Sequence, residues 1–171
     1  MNAAGRLESA NYSLEMLRAK DRTAAFVSAQ KLDDFNTQRK SIQQKIFNEA
    51  CQQADEMDAD RVLVVASKDW NHGVIGIVAS KLVETYKKPV FIIGIRDEVA
   101  TGSARSFGDF SAADAVRAAD DIILRGGGHG AAAGVTLEPG QIAAFRARVN
   151  EFYDSLQLSE QEKFVDRKSV V

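Results

Sequence analysis

The chain is poor in the residues that mark several whole classes of protein. It has one cysteine, Cys51, among 171 residues, which leaves no disulfide framework and fits a reducing compartment. Two prolines and twelve glycines exclude collagen-like repeats and proline-rich disorder. Apolar runs such as residues 62–66 and 90–95 fall far short of the roughly 20 residues that span a bilayer. No basic-then-apolar leader opens the chain, so secretion is not expected. Charge of one sign is missing too: 22 Lys+Arg face 24 Asp+Glu, a net charge of −2, so there is no global basic field and any polyanion site must be local. Two histidines and no compact Asp/His cluster leave few ligands for a metal. What is there, 45% hydrophobic residues, is ample for a buried core in one domain with an appendage. The expectation is a soluble, cytoplasmic α/β protein without a membrane partner.

The first third contains no convincing strand. Residues 10–19 read as a short helix, and residues 23–57 contain neither Gly nor Pro. Leu32, Phe35, Ile42, Ile46, Ala50 and Met57 recur there at intervals of three, four and seven, the period of a helix with one apolar stripe. Asp21 is placed to cap it, and its length suits a connector between two bodies. The alternative is two shorter helices broken near Asp33-Asp34. From Arg61 onward strands and helices alternate: strands over 62–66, 90–95, 100–105 and 134–137, and helices over 74–86, 112–119 and 141–156. Ser111 with Asp114 three residues on forms an approximate capping box. The order β-α-β-β-α-β-α predicts a mixed sheet of about four to five strands flanked by helices, preceded by the long N-terminal helix.

Three segments can carry chemistry. In Gly126-Gly127-Gly128-His129-Gly130, consecutive glycines permit positive φ and close backbone approach, and successive N–H groups in such a turn form an anion nest. A phosphate is the natural guest, with His129 as an added donor; the competing reading is a tight turn with a surface histidine. On the nest reading, a side chain at Gly128 blocks the ligand and spares the fold. In Gly102-Ser103-Ala104-Arg105-Ser106, residues i and i+2 of a strand face one side, so Ser103 and Arg105 make a phosphate clamp; an Arg paired with Asp109 is the alternative. In the segment from Trp70 through His72, Gly73 and Gly76 to Lys81, a polar turn leads into a helix whose glycines allow close packing on the sheet. Lys81 lies within reach of a polyanion. Trp70 reads as packing and His72 as a loop histidine. No Ser/His/Asp arrangement stands out, so no catalytic engine is visible.

These segments in this order resemble the DHHA1 domain, the substrate-binding partner in DHH-family phosphoesterases, in the branch of the RecJ-like single-strand-specific exonucleases. Asn2-Ala3-Ala4-Gly5-Arg6-Leu7 resembles the stretch that follows the catalytic domain of that branch, the long helix its interdomain connector, and Phe164-Val165-Asp166 the lead into its OB-fold. The resemblance implies a connector over residues 1–60, a DHHA1 domain over 61–157, and the start of a linker to an OB-fold over 158–171, all part of a longer protein. It implies a 5′-to-3′ exonuclease acting on single-stranded DNA, in which Mn²⁺ or Mg²⁺ in a separate Asp/His catalytic domain activates water against a phosphodiester. No hydrolysis is expected from these residues alone. The implied roles are a terminal-phosphate clamp for Ser103 and Arg105, backbone contacts from Gly127 and Gly128, and a phosphate or sugar contact from His129. Further phosphate contacts fall to Lys81 and Arg6. The implied partners are a 5′-phosphorylated single strand and the chain's own DHH and OB domains. Residues 118–125 form a shorter connection than in many relatives. Two alternatives stay open: the DHHA1 part of a nanoRNase or cyclic-dinucleotide phosphodiesterase, and a non-enzymatic nucleotide-sensing module.

Overall fold

A computed structural model describes residues 2–156; the segment 157–171, including the expected approach to an OB-fold, lies outside the described residues. The N-terminal third is helical: α1 (Asn2–Leu7), α2 (Asn11–Arg18) and the long α3 (Arg22–Asp55). The Asp21 carboxylate accepts from the Ala24 N–H at 2.8 Å, as an N-cap does. The 34 residues of α3 run unbroken for about 51 Å at 1.5 Å per residue, so Asp33-Asp34 marks no break. The predicted stripe is real at both ends. Leu32 is buried toward α1 and α2, while Ile46, Ala50 and Ala54 are buried beside α4 and the sheet. The short helix α1, where the sequence shows only a motif, docks on the start of α4: a Cβ at Gly73 would overlap the Arg6 carbonyl. No helix among the described residues is long and apolar enough to cross a membrane.

The rest is β1 (Leu63–Lys68), α4 (His72–Tyr86), β2 (Val90–Arg96), β3 (Val99–Arg105), α5 (Ala112–Arg117), β4 (Arg125–His129), β5 (Ala132–Leu137) and α6 (Ile142–Ser155). The sheet order is β1-β2-β3-β5-β4, with β1 parallel to β2 and every other pairing antiparallel. The mixed α/β architecture is as expected. The glycine run, however, is not a turn. Residues 125–129 form an edge strand paired with β5 from Arg125↔Thr136 to His129↔Ala132, and the reversal falls on Gly130-Ala131. Gly108 is the glycine with positive φ among the described residues, so the nest geometry is absent.

Each face of the sheet has its own core. Behind it, Val64, Phe91, Ile93, Ala104 and Val135 meet Val116 of α5 and Phe145 and Val149 of α6, with Phe91 and Phe145 edge-to-face at 5.1 Å. Ser111 caps α5 through the Asp114 N–H at 3.2 Å. The hydrogen bond from Ser111 and the neighbouring Arg117 hold the Asp114 carboxyl below its ordinary range. In front, Leu63, Val65 and Ile92 meet α4 and the C-terminal half of α3, with Trp70 closing the end. Trp70 is buried and its Nε1 donates to Glu49 on α3 at 2.7 Å, so it packs as expected.

The edge at β1 is covered by side-chain amides rather than by a sixth strand. The Gln53 amide accepts from the Ala66 N–H and donates to the Ala66 carbonyl, both at 3.0 Å. Asn150 does the same for Val62 at 2.9 and 3.1 Å and also accepts from Arg61. Such pairing blunts an edge that would otherwise recruit another strand. Because Val62 is fully buried, Asn150→Ala leaves its backbone groups unsatisfied and should cost about 2–3 kcal/mol in urea unfolding. Asn150→Asp, which keeps the acceptor, should cost less; equal stability of all three proteins would show that water already serves this edge.

Candidate functional site

Strands β5 and β4 carry a front face that no helix covers, β3 borders it where α4 packs alongside, and the pleat sorts the residues of all three. Along β3, Ala100, Gly102 and Ala104 are buried behind, leaving Thr101, Ser103 and Arg105 half-buried in front. The register aligns these with the neighbouring strands in three rows: Arg105–Ala132–His129, Ser103–Gly134–Gly127, and Thr101–Thr136–Arg125. Rows lie about 6.6 Å apart, two residues along a strand. The middle row ends in two facing glycines, so its floor is bare backbone. A Cβ on Gly127 would meet nothing within 4 Å, and one on Gly134 only the Gly102 carbonyl at 3.9 Å. None of the nine residues is acidic. A chain of net charge −2 thus shows a locally cationic surface, the arrangement the overall charge balance demands of any polyanion site.

The Ser/Arg clamp exists as a contact. Arg105 Nη1 donates to Ser103 Oγ at 3.3 Å and to the Ala104 carbonyl at 2.7 Å. Helix α4 forms its wall, because a Cβ on Gly76 would lie 3.1 Å from Ser103 Oγ and 3.4 Å from Arg105 Nη2. Any larger residue at position 76 would push helix and clamp apart. His129 stands in Arg105's row two strands away, exposed at the tip of the β4–β5 hairpin. That tip is tied down by Ser106, whose hydroxyl donates to the Gly130 carbonyl and accepts from the Ala112 N–H at 2.9 Å. The geometry is fixed by a sheet rather than a loop.

Gly127 and Gly128 separate. Gly127 faces the open surface. Gly128 faces the back, where a Cβ would overlap the Ala132 carbonyl and come within 2.6 Å of the Ala133 Cα. The idea that Gly128 offers room for a side chain that only obstructs a ligand is therefore corrected: it has no room at all. Close backbone approach survives in another form, since β4 is an edge strand and alternate N–H groups of such a strand point away from its partner. Lys81 is not brought to the clamp. Its ammonium sits 3.4 Å from Gln44 Oε1 and 4.4 Å from the centre of the Phe47 ring, both on α3. Arg6 is also elsewhere: Nη1 donates to the Gly73 carbonyl at 2.9 Å, one turn before Gly76, pinning α1 to α4. His72 is the first residue of α4 rather than a loop histidine, with Nε2 3.2 Å from the Gly94 carbonyl.

Sequence reasoning missed Thr101, Thr136 and Arg125, which line a shallow cavity of about 270 Å³ with Gly127 and Gly134. The signal was alternation: Arg125, Gly127 and His129 are i, i+2 and i+4 of one strand, hidden because glycines carry no pattern. No three His, Cys, Asp or Glu side chains come together among the described residues, and the open face has no carboxylate. These residues do not fit the divalent cation that the resemblance implies for the intact enzyme.

A family model described as DHHA1 domain matches residues 59–155. The single-stranded-DNA-specific exonuclease RecJ of Bacillus subtilis (strain 168) is 36% identical over 163 residues, 94% of this chain and 21% of that protein. The RecJ of Thermus thermophilus is 33% identical over 152 residues, 89% of this chain and 22% of that protein. The crystal structure of RecJ from Thermus thermophilus in complex with Mn²⁺ matches with a TM-score of 0.82 at 33% identity, covering 90% of this chain and 23% of that one. The chain thus spans about a fifth of the length of these curated relatives.

The separation of the two glycines is testable without any ligand. Gly127→Val should stay within about 0.5 kcal/mol of the parent in chemical unfolding, as an open surface position does. Gly128→Val should lose about 1–3 kcal/mol or more through overpacking. Equal stabilities would show that the two residues do not face opposite sides of β4.

Proposed function

Because the chain belongs to the DHHA1 domain family and is RecJ-like over most of its length, we propose that it holds the 5′-phosphorylated end of a single DNA strand for a metal-dependent exonuclease. The observation that carries this reading is the open front face: a guanidinium beside a hydroxyl, facing glycines on the adjoining strands, and no acidic residue in the three rows. Arg supplies a planar fork of donors, Ser103 a short fixed one, and the bare backbone at Gly127 and Gly134 lets a sugar-phosphate lie flat on the sheet. His129 adds a donor at the far end of Arg105's row. Each group binds and orients; none is placed to activate water. In this reading hydrolysis belongs to a catalytic domain holding Mn²⁺ or Mg²⁺, digestion runs 5′ to 3′ in the cytoplasm, and these residues alone cleave nothing. Lys81 and Arg6 are then positioning residues, one steadying α4 on α3 and the other α1 on α4.

Backbone and guanidinium NMR shifts read the proposal directly, using single strands of about ten nucleotides with and without a 5′-phosphate, since strand binding depends on such contacts. Shifts at Ser103, Arg105, Gly127 and His129 that require the phosphate support strand-end holding. Arg105→Ala should weaken binding of the phosphorylated strand by about 1.5–3 kcal/mol, the worth of a charged hydrogen bond, and Gly127→Val should weaken it by covering the floor. Unchanged affinity in Arg105→Ala overturns the clamp. Binding that saturates with one small nucleotide and gains nothing from a longer strand points instead to the nucleotide-sensing or cyclic-dinucleotide alternative.

A further inference from the structure

The third row of the open face, Thr101–Thr136–Arg125, repeats the chemistry of the first at the opposite end of the same surface. Arg125 is exposed, and its guanidinium makes no hydrogen bond or ion pair among the described residues; nor do the hydroxyls of Thr101 and Thr136 make a hydrogen bond there. An arginine and two adjacent hydroxyls, none of them partnered among the described residues, line one cavity of about 270 Å³. The register places them in a straight line across three strands. Between this row and that of Arg105 and His129 lies the glycine pair, the lowest part of the surface. From His129 to Arg125 the chain advances four residues of strand, about 13 Å.

We propose that this row is a second anion subsite, which takes an internal phosphodiester of the strand whose 5′-phosphate sits at Arg105. The inference rests on the strand-end reading above and adds a direction to it: the strand runs along β4 and β5, from the hairpin tip toward Arg125. The two rows lie about 13 Å apart along the strands, and the two arginines, on β3 and β4, farther still, more than one phosphate can bridge. A mononucleotide therefore fills one row and leaves the other empty, whereas an oligonucleotide engages both. The flat floor between the rows selects a single strand, because its sugar-phosphate must lie against backbone with no side chain standing between. Fixed on a sheet with α5 packed behind it, the spacing does not adjust to the ligand. The subsite thus measures out a minimum length of strand.

The test compares thymidine 5′-monophosphate with 5′-phosphorylated hexathymidylate on the full chain. The monophosphate, at millimolar concentration, should shift resonances of Arg105 and His129 and leave Thr101, Arg125 and Thr136 in place; the hexanucleotide should shift both sets. Arg125→Gln should weaken the hexanucleotide by about tenfold or more, one charge-assisted hydrogen bond. It should lower the slope of log affinity against log salt by about 0.7, one phosphate of a single strand, and leave the monophosphate within twofold. Hexanucleotide shifts confined to the first row, or full affinity in Arg125→Gln, overturn the second subsite while leaving the clamp intact. Loss of binding in Arg125→Gln with none in Arg105→Ala overturns the clamp and leaves Arg125 as the primary anion contact. No shift in either row overturns both.

Discussion

Everything on the open face depends on the register of three antiparallel strands. Side chains alternate across a pleated sheet, so a slip of one residue between β3 and β5 would turn Ser103 and Arg105 into the rear core and bring Ala104 forward. The slip is blocked from behind. Ala100, Ala104, Val135 and Leu137 are buried against α5 and α6, and they can be buried only in this register. At the tip, Ser106 ties the hairpin reversal at Gly130 to the first residue of α5. The polar rows in front are therefore aligned by apolar contacts behind, and the site borrows its precision from the core.

The two halves of the sheet are treated differently, which is what creates a site at all. Over β1 and β2 the front face is covered by α3 and α4, and the outer edge is satisfied by the amides of Gln53 and Asn150. Helix α4 stops at β3, where Gly76 lets its backbone come up to the clamp. Beyond that line β5 and β4 are open to water. Glycines on β4 and β5 keep the surface low, so the cations stand at its ends rather than its middle. The rigidity of the covered half and the accessibility of the open half are two results of one helix arrangement. Binding residues carried on a fixed scaffold lose little entropy when a ligand arrives.

Interactions between near neighbours in the chain were legible before the fold. The Asp21 cap, the long helix with its apolar stripe, the Ser111 cap and the buried strands β1 and β2 all follow from local periodicity and from side chains that bond to their own backbone. The pairing of Ser103 with Arg105 was legible for the same reason, since it needs only the two-residue repeat of a strand. The glycine run was misread because its local signal is ambiguous: glycine permits positive φ but does not require it. Its extended conformation comes from pairing with β5 and from α5, whose Val116 leaves no room for a Cβ at Gly126. The contacts of Lys81 with α3 and of Arg6 with the Gly73 carbonyl were not legible for a related reason, because spacing along a helix does not say which neighbour the helix faces.

The sequence by itself determined the long helix α3, the strands β1, β2, β3 and β5, the helices α4, α5 and α6, and the nearness of Ser103 to Arg105, all of them set by composition or by contacts within a few residues. Only the tertiary structure decided that Gly127 faces the open surface and Gly128 the core. It alone put Arg125 in line with two threonines from strands far apart in the chain, and turned Lys81 toward α3. The physical reason is that these facts are set by long-range strand register and by which half of the sheet the helices leave uncovered. A glycine has no side chain with which to announce either one.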